Sequence, residues 1–86
     1  MKTNWTDYTI VRELHSADGE CLDSEDLEIY HNEDDAREAA LELMYANEDE
    51  YTIVDGVACR TVFSIMVEKF IHGCISSVDF IEYDEL

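Results

Sequence analysis

The sequence predicts an α+β fold: a small antiparallel sheet of about four strands with two helices, in the order ββαββαβ. Segments at residues 5–14 and 51–54 are rich in β-branched and aromatic residues, which is typical of strands. A helical apolar pattern follows Asn32, and the three glycines each stand where a turn or a helix end is expected. Because the chain has 86 residues, 47% of them hydrophobic, we expect one folded domain spanning residues 1–86.

The first two strands are predicted from alternation and from a turn between them. In residues 5–14, Tyr8 and Ile10 fall on one face, and Thr9 and Val11 fall on the other. Asp18 and Gly19 form a turn signature. A second strand is expected within residues 20–31, although its beginning is almost entirely acidic.

The first helix has the clearest start signal in the chain. Asn32 is the expected N-cap, and the three acidic residues that follow it suit the positive end of the helix dipole. Apolar residues from Ala36 to Met44 recur at helical spacing. The helix is expected to end near Asn47, which we expect in the left-handed conformation common just after helices.

The secondary structure of the second half of the chain is harder to predict from the sequence. Asp55-Gly56 after the strand 51–54 is a strong hairpin signal. Residues 57–73 fit one helical face but also alternate as a strand does. We expect a short return strand from Val57, then a second helix ending at Gly73, and a last strand over residues 75–83.

The charge of the chain limits its function more than any motif does. There are 22 acidic residues against five Lys and Arg, giving a formal net charge of −17. A net charge of magnitude about 2–8 is enough to keep a small domain soluble, so this charge exceeds what solubility requires. Such a surface repels nucleic acid and anionic membranes and attracts basic proteins, many of which bind nucleic acid. We therefore expect no direct nucleic-acid binding and no membrane partner.

The acidic residues concentrate between Asp18 and Glu50, where fourteen carboxylates accompany a single Arg or Lys, Arg37. Neighbouring carboxylates on a helix stand about 5–6 Å apart, a spacing comparable to the roughly 3.4 Å rise between phosphates of a nucleic-acid strand. Two interpretations stay open: mimicry of nucleic acid in a basic groove, and a merely solvated surface. Under the first, the predicted partner-binding residues are Asp23, Glu25, Asp26, Asp34, Asp35, Glu38, Glu42 and Tyr45.

Catalytic, cofactor and metal motifs are not recognisable in the sequence. It has no nucleophile elbow, phosphate-binding loop or dinucleotide fingerprint, so we expect no enzyme and no cofactor. His and Cys lack the spacing of zinc sites, so no metal site is predicted. Three cysteines without a disulfide pattern indicate free thiols, and no secretory signal or spanning segment is seen, so we expect a cytoplasmic protein.

In size, acidity, absence of proline and expected α+β build, the whole chain resembles small anti-defence proteins of phages and mobile elements, including anti-CRISPR proteins and anti-restriction DNA mimics. The resemblance implies a stoichiometric, non-catalytic inhibitor of a CRISPR or restriction complex in the cytoplasm of a bacterial host cell, and it carries over no individual residue. The alternative is a small cytoplasmic adaptor or structural subunit. Its interface would be a sheet edge or the apolar side of the second helix, around Val67 and Phe70.

Overall fold

A computed structural model of the chain describes residues 3–48 and 50–86. In this part of the chain, five strands form one curled antiparallel sheet, a half-barrel, with one α-helix packed on it. The elements in chain order are β1 (Trp5–Ser16), β2 (Cys21–Tyr30), α1 (Glu33–Ala46), β3 (Tyr51–Val54), β4 (Val57–Ile71), β5 (Cys74–Ile81) and a short 3₁₀ turn (Tyr83–Glu85).

The sheet is built around its two longest strands, β1 and β4, which pair along almost their whole length. β2 pairs with the other side of β1 and forms one edge of the sheet. β3 and β5 both pair with β4, β3 near the beginning of β4 and β5 near its end. The order is therefore β2-β1-β4-β3, with β5 beside β3 on the same edge of β4.

The expected second helix is wrong, because residues 57–71 form the single long strand β4. Four consecutive residues of β4, Val62 to Ile65, are buried, so this part of the strand is buried on both of its faces. A strand of this kind loses the simple alternation of a half-exposed strand and imitates a helical stripe. Pairing with β1 on one side and β3 and β5 on the other supplies its backbone hydrogen bonds. The overall prediction of two helices in the order ββαββαβ is corrected accordingly.

The tight turns explain why glycine stands where it does. The β3–β4 hairpin turns at Asp55-Gly56, with φ of 50° and 81°, as the sequence predicts. The β4–β5 hairpin turns in the same way at His72-Gly73, with φ of 54° and 77°. Gly73 therefore closes a hairpin and does not end a helix, because two positive φ values in succession are the geometry of a type I′ turn.

The helix α1 is confirmed, including its cap. The Asn32 side-chain oxygen accepts hydrogen bonds from the backbone N–H groups of Asp34 at 2.8 Å and Asp35 at 3.3 Å. At the other end, Asn47 has φ of −114°, so the left-handed conformation expected there is wrong. Asn47 instead donates from its side-chain amide to the Leu43 carbonyl at 2.8 Å, which satisfies one of the terminal carbonyls.

The core lies between α1 and one face of the sheet. Ala36 and Ala40 are fully buried against Ile10, Phe63 and Ile65. Small residues on the helix let it approach the sheet closely, and the large side chains come from the strands. We call the opposite face of the sheet, which α1 does not cover, the open face. Register places on it a row of side chains across four strands, Ile29, Thr9, Met66 and Phe80.

Candidate partner-binding surface

The predicted acidic residues of α1 all face the solvent. Asp34, Glu38 and Glu42 stand four residues apart, so they form one row along the helix, and each is exposed. The row is held in place because Ala36 and Ala40, on the other side of the helix, are buried in the core. Like charges at this spacing destabilise a helix by a few tenths of a kcal/mol per pair, a cost that a cationic partner would relieve.

The predicted acidic residues of β2 lie on an edge strand and are also exposed. One of them is already paired, since the Glu25 Oε2 atom lies 3.1 Å from the Arg12 Nη2 atom across the β1–β2 ladder. Asp23 lies near the N-terminal end of β2, opposite Leu14 of β1. Glu25 is therefore a weaker candidate than Asp23 or Asp26 for binding a partner's cation.

A groove between α1 and β2 brings acidic residues from both elements together. Its volume is about 720 Å³, and its lining includes the apolar side chains Ile10, Leu27, Ala39 and Leu43. Asp26 and Glu28 from β2 and Glu42 from α1 complete the acidic part of the lining. None of the nine described residues that line the groove is basic. The groove thus joins two predicted residues, Asp26 and Glu42, around an apolar floor.

The Tyr30 hydroxyl is influenced by carboxylates of both α1 and β2. Its hydroxyl donates a hydrogen bond of 2.6 Å to the Glu28 Oε2 atom. This hydrogen bond raises the pKa of the Tyr30 hydroxyl, and partial desolvation and the charges of Glu28, Glu42 and Asp35 raise it further. A negative potential at the groove, from residues on α1 and on β2, therefore opposes any further negative charge there.

Other predicted residues lie outside the groove. Asp34 and Asp35 are at the first turn of α1, where their backbone N–H groups are engaged by the Asn32 cap. Tyr45 projects from the last turn of α1 with 75% of its surface exposed, so it is available for contact but is not among the residues that line the groove. Sequence analysis missed Glu28 and Tyr30; their presence in β2 was visible, but the groove exists only once α1 packs beside that strand.

Few of the carboxylates in the described ranges are neutralised by the chain's own cations. Arg37 pairs with Glu33 at 3.1 Å, one turn apart on α1, and Arg12 pairs with Glu25. The Arg37 guanidinium also donates to the Glu85 carbonyl at 3.2 Å, which ties the end of the chain to the helix. Because only five Lys and Arg face 22 acidic residues, the surface of α1 and β2 keeps a strongly negative potential.

No family model, no curated protein and no solved structure matches the chain. In the described ranges, none of the helical structure is long and apolar enough to cross a membrane.

Proposed function

We propose that this protein is a non-catalytic inhibitor that binds, through the acidic surface of α1 and β2, a basic nucleic-acid-binding surface of a host defence complex. The observation that supports this most directly is the groove, where Asp26, Glu28 and Glu42 converge with no basic residue in the described lining. A surface of this charge favours a partner rich in Arg and Lys and disfavours nucleic acid itself. The resemblance to anti-defence proteins makes a nuclease complex the first target to test.

The row on α1 suits a groove that normally holds a nucleic-acid strand. Four residues of helix rise about 6 Å, so Asp34, Glu38 and Glu42 form a line of charges at regular intervals. Arg and Lys side chains that normally meet phosphates would meet these carboxylates instead, with charge-assisted hydrogen bonds. Long-range attraction of this kind accelerates association and makes it sensitive to salt.

The apolar floor of the groove adds a contact that charge alone does not give. Leu27 is 37% exposed, and Leu43 and Ala39 beside it are half-buried. A partner side chain such as Leu or Met, flanked by Arg or Lys, would bury this apolar surface while its neighbours pair with Glu28 and Glu42. The apolar contact would then retain part of the binding affinity at salt concentrations that screen the charge pairs.

Charge reversal on α1 tests the proposal. The double variant E38K/E42K turns two attractions of roughly 0.5–1 kcal/mol each into repulsions of similar size, a loss of about 2–4 kcal/mol or roughly 30- to 1000-fold in affinity. The matched control is D79K/E82K, which makes the same change of charge at exposed positions of β5 and just after it.

The measurement is a pull-down with each tagged variant from nuclease-treated bacterial lysate, eluted by a salt gradient and quantified by mass spectrometry. We expect the wild-type protein and D79K/E82K to recover the same nucleic-acid-binding partner, released by moderate salt and displaced by added DNA or RNA. E38K/E42K should lose it. Equal recovery by E38K/E42K and wild type would show that α1 is not the binding surface.

The open face favours a second candidate function, that of a small adaptor or structural subunit. Phe80 and Ile29 are 52% and 58% exposed on this face, and Val78 and Ile75 beside them are 45% and 56% exposed. Exposed apolar groups of this kind are typical of protein interfaces. A partner held there would resist high salt and would be lost in V78S/F80S, whereas E38K/E42K would retain it.

The correction of the second helix changes which residues test this alternative. Val67 packs against the core in β4, and the Phe70 ring stacks on Trp5 with centroids 4.6 Å apart. Truncating either residue would disturb the fold as well as any interface. Val78 and Phe80 are therefore the informative positions.

A further inference from the structure

We propose that Glu13, His15 and Cys21 form a binding site for a zinc-class divalent ion at the turn end of the β1–β2 hairpin. One carboxylate oxygen, one imidazole nitrogen and one thiol sulfur from these residues lie within 4.8 Å of one another. Carboxylate, imidazole and thiolate are the three ligand types that bind Zn²⁺ in proteins. The site lies apart from the groove and does not depend on the function proposed above.

The sheet geometry is what brings the three residues together. Glu13 and His15 are two residues apart on β1, so their side chains share a face of the sheet. A register shift between Leu14 and His15 places Cys21 opposite His15. Without this irregularity Leu22 would occupy that position. Bulges re-aim side chains in this way, and they are common beside functional sites.

The distance between the ligand atoms of His15 and Glu13 is close to the separation of two ligand atoms bound to one tetrahedral ion. His15 Nε2 lies 3.5 Å from Glu13 Oε1, longer than an ordinary N–H···O hydrogen bond of about 2.7–3.2 Å. A tetrahedral ion with bonds of about 2.1 Å holds its ligand atoms roughly 3.4 Å apart. The spacing found fits two ligands of one ion, and the Cys21 sulfur lies within 4.8 Å of a ligand atom of each of the other two residues.

Burial and charge also suit a bound cation. The side chains of Glu13 and His15 are only 17% and 20% exposed, which limits their freedom, whereas Cys21 is exposed and gives an ion access from solvent. The Cys21 thiol contacts the Asp23 carbonyl at 3.4 Å and would bind the ion as a thiolate, releasing its proton to water. Two anionic ligands balance the ion and offset repulsion from Arg60, which stands opposite His15 on β4.

Three protein ligands leave the fourth position of a tetrahedral ion to water. The same three side chains come from both strands of the hairpin, so the bound ion would link β1 to β2 beside their turn. We therefore expect the ion to raise the thermal stability of the protein, because it binds the folded chain and not the separated strands.

Cobalt(II) is the probe for this site, because its thiolate complexes absorb in the near ultraviolet and its visible bands report tetrahedral geometry. The full chain is titrated under reducing conditions in excess Mg²⁺, which occupies the acidic surface without competing for thiolate. We expect one ion per chain, displacement by Zn²⁺ and an increase of the melting temperature. C21S should abolish the thiolate band, and E13Q should weaken binding at least about tenfold.

The matched control is C74S, which removes the other exposed thiol, in the β4–β5 hairpin. It should bind cobalt as the wild type does. Both cysteines are exposed, so neither serine variant is expected to alter the fold, and circular dichroism checks this. A thiolate band retained in C21S, loss of the band in C74S, or one ion shared by two chains would overturn the proposal.

Discussion

Replacing Phe63 with alanine tests the packing of α1 on the sheet, on which the position of every acidic residue of the helix depends. Phe63 is 1% exposed and is the largest fully buried side chain of the described core. It packs with Ala36, Ala40 and Ile10, and alanine at this position would leave a cavity between the helix and β4. Substitutions of this kind cost about 3–5 kcal/mol.

That cost is large for a domain of this size. A stability of roughly 0.05–0.15 kcal/mol per residue gives about 4–13 kcal/mol for 86 residues, so F63A would remove about a quarter of it or more. The matched control is F80A, the same substitution on the open face. Because Phe80 is already 52% exposed, its truncation should cost about 1 kcal/mol.

Urea denaturation, monitored by circular dichroism and by the fluorescence of Trp5, measures the loss of unfolding free energy in F63A and in F80A. Trp5 is the single tryptophan and stacks on Phe70 between β1 and β4, so its emission reports the separation of these strands. A cost for F63A within about 1 kcal/mol of zero, or an equal cost for F80A, would refute the assignment of the core to the α1 side.

Three further predictions concern local features. N32A should lower the stability by about 1 kcal/mol, or roughly 4–8 °C in melting temperature, through loss of the cap on α1; an unchanged thermal melt would contradict it. G56A should cost about 1–2 kcal/mol, because alanine is strained at φ of 81°, and chemical denaturation against wild type measures this; a neutral result would argue against the type I′ turn. E28Q should lower the raised pKa of Tyr30 towards its ordinary value, since the hydrogen-bonded anion is removed; ultraviolet titration checks this, and an unchanged pKa would exclude Glu28 as the cause.

The elements that the sequence predicted well are those governed by local chemistry. Asn32 caps α1 because its side chain reaches backbone N–H groups only two and three residues away. Asp55-Gly56 forms a hairpin turn because these residues tolerate positive φ. β1 and β3 also lie where alternation and β-branched residues place them, and β2 lies within the expected range 20–31. Each of these signals depends on a few neighbouring residues.

The strand β4 could not be assigned in the same way. Its apolar residues fit a helical face and an alternating strand equally, since both of its faces are covered in part. The choice was decided by pairing with β1, whose residues are more than 40 positions away along the chain. Non-local pairing of this kind overrides local propensity, which explains why the second helix was wrong.

The sequence by itself determined the excess of carboxylates, their concentration on α1 and β2, and the exposure of the carboxylates on these two elements, because unpaired charged side chains are rarely buried. Only the tertiary structure decided which of them meet. Packing of α1 beside β2 created the groove that joins Asp26, Glu28 and Glu42. A one-residue shift of register set Cys21 opposite His15. Both depend on contacts between elements, and residue spacing within one element carries no information about such contacts.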